Sequence, residues 1–381
     1  MNITVAGIGM TKFGELWAAS PRWLASVAVA AAIKDSGIEK KSIQGLFVAN
    51  MLSGMLGMQG HLGALLAEEL GLSGIPAYTV EGACASGGLA VHAGIMSILS
   101  GQYDTVCVLG VEKMTDHKPE LVSSALMGAG SNEERLAGAT FPGLYAILAR
   151  SHMEKYGTTE QQLASVAVKN HFHASLNALA QFTHPITVEQ VMKSSCVADP
   201  LKLLDCSPVT DGAAAIILTK HQSKKSGVYI IASAVATDTL GLAGRKNLTE
   251  LQATKQAAFQ AFTQAGVGQK DIHLAEVHDC FTIAEILAIE DMGFEKKGDV
   301  GMRMEKGAYT LGTAEHIVIN SSGGLKGCGH PIGATGVKQI VEITNQLRGV
   351  CGKRQVKNAR LGLAHNVGGS GATAVVHILK K

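Results

Sequence analysis

Two short segments far apart in the chain carry residue types that do chemistry together. Val80-Glu81-Gly82-Ala83-Cys84-Ala85-Ser86-Gly87-Gly88 supplies a thiol, and Gly327-Cys328-Gly329-His330-Pro331-Ile332-Gly333-Ala334-Thr335-Gly336 supplies an imidazole. Each reads as a strand-like approach, a turn of tiny residues and then an amphipathic helix. A thiol at a helix N-terminus sits in the positive end of the helix dipole, which lowers its pKa. A neutral imidazole nearby takes its proton, and the pair becomes an activated sulfur nucleophile. On this reading Cys84 is the most reactive thiol of the chain. A cysteine in apolar surroundings is ordinarily just a small hydrophobe, so the glycines carry weight. Gly87 and Gly88 fall in the first helical turn, where glycine costs about 1 kcal/mol against alanine. That loss makes sense where a ligand must approach the backbone closely.

Two further segments add candidates. His278-Asp279-Cys280-Phe281 follows a strand pattern; His278 is a candidate donor to an oxyanion and Cys280 a candidate thiol acid/base, against the plainer reading of a turn with a buried cysteine. Ala364-His365-Asn366-Val367-Gly368-Gly369-Ser370-Gly371 runs from a strand into a glycine turn. Its free backbone N–H groups could form an anion-binding nest, with Asn366 a further candidate; the plainer reading is a hairpin turn. Asp279, Asp211 and Glu112 each follow a strand, where a solvated turn or a cap on a backbone amide accounts for them. His171 and His173 lie two apart in a helical stretch and receive no role.

The elements that position these residues are written twice. Helix-like residues 22–36 lead to Ser36-Gly37-Ile38, a polar turn and the strand Leu46–Asn50; helix-like residues 251–265 lead to Ala265-Gly266-Val267, a polar turn and the strand Ala275–Asp279. Cys84 plus a helix is followed by the strand Thr105–Gly110, and His330 plus a helix by the strand Arg360–Ala364. The chain therefore reads as one duplicated α/β unit. The first half, residues 1–221, holds an extra helical and polar region at about 117–198, expected to be a loop domain over the site; the second half is 222–381.

Composition narrows the function. Of 381 residues, 46% are hydrophobic and only 17% charged, which calls for a large core and a buried subunit interface. A net charge of +2 and the lack of basic runs argue against nucleic acid and membrane surfaces. The seven cysteines include no C-x-x-C pair, so neither a disulfide framework nor a structural zinc is expected, and the cytoplasm fits best. No signal peptide, transmembrane run, P-loop or strand-linked G-x-G-x-x-G is visible.

Taken together these motifs resemble the thiolases over essentially the whole chain. The resemblance rests on Cys84 in V-E-G-A-C-A-S-G-G, Gly110-Val111-Glu112-Lys113-Met114, Asp211-Gly212-Ala213, His278-Asp279-Cys280-Phe281, and Asn320-Ser321-Ser322-Gly323-Gly324 running into Gly329-His330-Pro331. The H-D-C-F segment is similar to the sterol-carrier-protein branch, whereas the other branch has N-E-A-F there. The resemblance implies two α/β halves in a five-layer α-β-α-β-α body with a loop domain. It implies acyl-CoA and coenzyme A as substrates, no resident cofactor or metal, and a homodimer or homotetramer, with an accessory protein subunit as a further partner. It implies that Cys84 is the acylated nucleophile, His330 its base, Cys280 the acid/base at the α-carbon and His278 a holder of the thioester oxygen. Backbone N–H groups of Cys84 and Gly368 would hold the oxyanion. The C-x-G cysteine of the other branch is absent, and Cys280 restores the thiol; Cys328 is left without a role. The alternatives are an acyltransferase to a non-thioester carbon acceptor and a catalytically weak CoA- or lipid-binding subunit of a larger assembly.

Overall fold

The computed structural model describes residues 1–222 and 226–381. The expected division at 221/222 therefore abuts residues 223–225, which lie outside the described part. The first half runs β1 (Ile3–Met10), α1 (Pro21–Ser36), β2 (Leu46–Ala49), α2 (Leu62–Glu69), β3 (Ala77–Val80), α3 (Ser86–Leu99) and β4 (Thr105–Glu112). There follow α4 (Pro119–Leu126), α5 (Asn132–Leu136), α6 (Phe141–Tyr156), α7 (Glu160–Ser175), α8 (Val188–Lys193) and a small ribbon, β5 (Cys196–Ala198) with β6 (Leu201–Lys202), before β7 (Gly212–Thr219). The second half runs β8 (Tyr229–Thr237), α9 (Gln252–Ala265), β9 (Leu274–Glu276), α10 (Thr282–Asp291), α11 (Val300–Glu305), β10 (Val318–Ile319), α12 (Gly324–Cys328), α13 (Ile332–Arg348), β11 (Leu361–Gly368) and β12 (Thr373–Lys380).

The duplication seen in the sequence is a duplication of topology. Ten strands form one sheet in the order β10-β9-β11-β12-β8-β1-β7-β4-β2-β3. Read outward from its centre, β1-β7-β4-β2-β3 and β8-β12-β11-β9-β10 are the same arrangement. Within the sheet the halves join where Ile3 and Thr4 pair with Ile230 and Tyr229. Both α1 and α9 end on a left-handed glycine, Gly37 at φ 68° and Gly266 at φ 65°, a conformation that costs glycine little.

The layering follows from where apolar faces are buried. Helices α1 and α2 cover the outer face of the first five strands. Helices α3 and α13 pack on each other and on strands of both halves. Helices α9 and α10 lie on the outer face of the second half, together with the inserted helices α6 and α7. The result is the five-layer α-β-α-β-α body.

The central position of α13 corrects the reading of it as an ordinary amphipathic helix. Its polar stripe is buried too: Lys338 bonds Glu276 at 3.0 Å, and Gln346 and Arg354 both reach Glu342. A buried cation is tolerated here because it is paired and hydrogen-bonded. The glycines of α3 also serve a different purpose from the one expected. A Cβ on Gly87 would lie 2.6 Å from the backbone nitrogen of Gly336, and one on Gly336 would lie 2.2 Å from that of Gly88. They let the two central helices touch backbone to backbone, rather than admitting a ligand.

Candidate active site

Cys84 sits in a single 3₁₀ turn, Ala83–Ala85, directly ahead of α3. Ser86 holds that turn: its hydroxyl donates to the Ala83 carbonyl at 2.6 Å and accepts from the Gly82 N–H at 3.0 Å. The turn strains the backbone, with Ala83 at φ 53°. The expectation of an acidic thiol is overturned. Burial pushes the Cys84 thiol up to about 12, outweighing the N–H groups of Gly369 and of Cys84 itself, and Glu112 adds repulsion. Cys84 keeps a partly exposed face on the cavity, but its sulfur is enclosed. Desolvation of an anion costs more here than two or three oriented dipoles return. The resting sulfur is therefore a thiol that needs a base at the moment of attack.

The approach to His330 is likewise not a strand. The short helix α12 leads into Gly329 at φ 112°, and His330-Pro331 opens α13. His330 is buried, and burial, then Lys338, push it down to about 3. Its tautomer is set by Thr335. The Thr335 hydroxyl donates to the Pro331 carbonyl at 2.9 Å, so it must accept from His330 Nδ1 at 2.7 Å. That leaves the lone pair on Nε2, which has no protein partner. It is the form a general base requires.

His278 has the opposite tautomer. The Asn366 side chain is pinned at three points: its Oδ1 accepts from the Gly88 N–H at 2.9 Å, and its Nδ2 donates to the Cys84 carbonyl at 2.8 Å and to His278 Nδ1 at 3.1 Å. His278 Nδ1 is therefore an acceptor, and the proton is on Nε2, also buried and unpartnered. Burial, then His330 and His365, hold the ring well below its ordinary value, so it stays neutral. The two rings meet edge to face at 5.1 Å. The Cys84 sulfur and one nitrogen of each ring all lie within 4.8 Å of one another. That span would suit a metal ion, but a proton pinned on His278 Nε2 opposes ligation there.

Cys280 is buried, just before α10, and its thiol is pushed well up by burial, with Tyr145 opposing. The Tyr145 ring stacks on Phe281 at 4.6 Å. Cys84, Cys280 and His330 share a cavity of about 210 Å³ with Phe141, Tyr145 and Cys206. Helices α4 and α6 of the insertion supply much of its far wall. Gly368 ends the β11 ladder opposite Thr373, and the chain turns left-handed at Gly369, φ 62°. The segment is the hairpin of the plainer reading. The N–H turned toward the Cys84 sulfur is that of Gly369. Cys328 is not among the residues lining the cavity, and Asn177 Nδ2 lies 3.7 Å from its sulfur.

Comparison with known proteins places the arrangement. The thiolase N-terminal domain model matches residues 3–222, and the thiolase C-terminal domain-like model matches residues 234–381. The chain belongs to the thiolase family. An acetyl-CoA acetyltransferase of Methanothermobacter thermautotrophicus is 48% identical over 385 residues, covering 100% of each chain. Sterol carrier protein 2 of Gallus gallus is 34% identical over 395 residues, covering 98% of this chain and 71% of that protein. In fold, the chain superposes on the solved Ltp2-ChsH2(DUF35) aldolase with a TM-score of 0.83 at 24% identity, covering 100% of this chain and 97% of that one. As a thiolase, the protein is an acyltransferase that works on coenzyme A thioesters.

The acids of this thiolase do more than a solvated turn would. All three are buried. Glu112 accepts from the backbone N–H groups of Met51, Leu52 and Gly333, tying the end of β2 to the start of α13; burial still pushes it up to about 7. Asp211 accepts from the N–H groups of Leu16, Met114 and Thr115. Asp279 accepts from Leu325 and Lys326 at the start of α12. They are backbone caps that fix the loops around the sulfur. Three contributors escaped the sequence reading: Thr335, Gly369 and Tyr145. Thr335 had a signal, because it lies one helical turn beyond His330; Tyr145 had none.

Proposed function

We propose that this thiolase runs a two-step acyl transfer through acetyl-Cys84, and that the opposed tautomers of His330 and His278 are the observation that carries the assignment. One ring presents a lone pair and the other an N–H, and the sulfur and one nitrogen of each ring lie within 4.8 Å of one another. In the first step Cys84 attacks the thioester carbonyl, and its proton passes to His330 Nε2. The tetrahedral oxyanion takes N–H donors, with the backbone of Cys84 and Gly369 and the His278 Nε2–H as candidates. Coenzyme A departs with the proton of Cys280. In the second step the Cys280 thiolate removes an α-proton from a second acetyl thioester, whose thioester oxygen is held by His278 as the enolate forms. The enolate attacks acetyl-Cys84, and Cys84 leaves with the proton held by His330. Every proton is accounted for by side chains, so coenzyme A thioesters are substrates and no resident cofactor is required. Thiolysis is the same path reversed.

The wider setting is read from less. A homodimer or homotetramer fits β3, an edge strand with Tyr78 half-exposed next to the Cys84 turn. An accessory subunit of the DUF35 kind is a further candidate partner, as in the Ltp2-ChsH2(DUF35) aldolase that shares the fold. All seven cysteines are unpaired, which fits a reducing cytoplasm, and a role in lipid or fatty acid metabolism follows the acyl substrates. Among the described residues no helix is long and apolar enough to cross a membrane.

The test is direct. The purified chain supplied with acetyl-CoA alone should yield acetoacetyl-CoA and an acetyl group on Cys84 by mass spectrometry. Turnover without any acyl-enzyme on Cys84 would end this reading. Alkylation offers a second check, revised by the structure. Cys196 is the exposed cysteine and should take iodoacetamide first. Cys84 should follow and be protected by acetyl-CoA, with Cys196 unprotected. Labelling of Cys84 that ignores acetyl-CoA would remove it from the site.

A further inference from the structure

Tyr145 is the buried polar group at the cavity that the mechanism above leaves unused. It lies on α6 of the insertion, 1% exposed. Its hydroxyl donates to the Gly369 carbonyl at 3.1 Å, its ring stacks on Phe281, the residue after Cys280, and it lines the same cavity as the Cys280 thiol. The same Gly369 turns its N–H to the Cys84 sulfur. One peptide group and one phenol thus connect the two reactive sulfurs. A phenol has a single hydrogen, so while it is given to Gly369 it is not available to Cys280.

We propose that Tyr145 is a positioning residue for Cys280, its hydroxyl resting on the Gly369 carbonyl while Cys280 is a thiol and turning to the sulfur when Cys280 is a thiolate. The thiolate arises between the two half-reactions: the Cys280 S–H bond breaks, the S–H bond of departing coenzyme A forms, and the charge stays on Cys280. A buried thiolate without a donor is costly. The titratable groups around Cys280 include Tyr145, Cys84 and Asp279; His330, which holds the Cys84 proton in this interval, and Cys206 line the same cavity. In that interval Cys84 carries its acyl group, and the Asp279 carboxylate is occupied by the N–H groups of Leu325 and Lys326. The phenol is the donor in place. Burial, with Cys280 adding, keeps it far above its ordinary pKa, so it retains its hydrogen to give.

The inference rests on the assignment of Cys280 as the proton carrier, and the experiment separates the two. Tyr145→Phe keeps the ring on Phe281 and removes only the hydroxyl. Acylation of Cys84 should stay within about threefold of wild type. Deuterium uptake into the acetyl methyl group should fall about ten- to a hundredfold at neutral pH, and its pH midpoint should rise by about one unit or more. The S–H infrared band of resting Cys280, identified by its loss in Cys280→Ala, should move in Tyr145→Phe as the thiol loses its polar neighbour. If Tyr145→Phe does not fold, 3-fluorotyrosine at position 145 gives a stronger donor and should lower the exchange midpoint. An unchanged pH profile with an unmoved band, or an equal fall in acylation and exchange, overturns the role of Tyr145. Normal exchange in Cys280→Ala overturns the role of Cys280 instead.

Discussion

Cys280→Ala is expected to acylate on Cys84 at near the wild-type rate and to lose the carbon–carbon step by about 10²–10⁴-fold. The separation follows from the site. The base for acylation is His330, whose Nε2 lone pair does not depend on Cys280, whereas only a thiol beside the α-carbon can shuttle its proton. Coenzyme A can leave as a thiolate without help, so the first step tolerates the change. Serine should not restore exchange, since a hydroxyl does not ionise near neutral pH. Two readouts decide the matter: acetyl-Cys84 by mass spectrometry and deuterium incorporation from heavy water. Full exchange in Cys280→Ala would move the proton transfer to another group. Cys206 would be the candidate, because it lines the same cavity, whereas Cys328 does not.

His330→Ala is expected to slow acylation by about 10²–10⁴-fold while leaving thioester affinity largely intact. A Cys84 thiol pushed up to about 12 gains nothing from solvent hydroxide at neutral pH, so losing the lone pair removes the means of attack. Single-turnover acylation at wild-type speed would take His330 out of the mechanism. The same substitution has a stability signature. His330 is held at about 3 against 6.5 in the unfolded chain, so between those values the unfolded state binds the extra proton. Stability is therefore lost as pH falls from about 6.5 towards 3. Removing the ring should make that acid-side loss shallower.

Much of this was legible in the sequence because it is written in local patterns. The duplicated helix–glycine–strand unit predicts the repeated strand order, since the same left-handed stops at Gly37 and Gly266 start the same turns. Cys84, His278, Cys280 and His330 stand out because each follows a strand or opens a helix. What escaped the sequence is tertiary. Burial reverses the sign of the Cys84 shift, and no window of residues reports how deep a sulfur lies. That Glu112, Asp211 and Asp279 cap backbone amides was one of two readings open in the sequence, but which distant loops they tie, such as Gly333 to Glu112, shows only in the fold. Tyr145 is one aromatic in an unremarked helix, and only the packing of α6 on the second half gives it Cys280 as a neighbour.

The glycine crossing of α3 and α13 has a consequence for substitutions at the site. Cys84 precedes one of these helices and His330 opens the other, so their separation is dictated by main chain in contact with main chain. The far wall of the cavity comes instead from α4 and α6, on a separate excursion of the chain. The spacing of nucleophile and base is thus built apart from the wall that meets the acyl group: substitutions at Val122, Leu126 or Phe141 would reshape that wall while Cys84 and His330 keep their register.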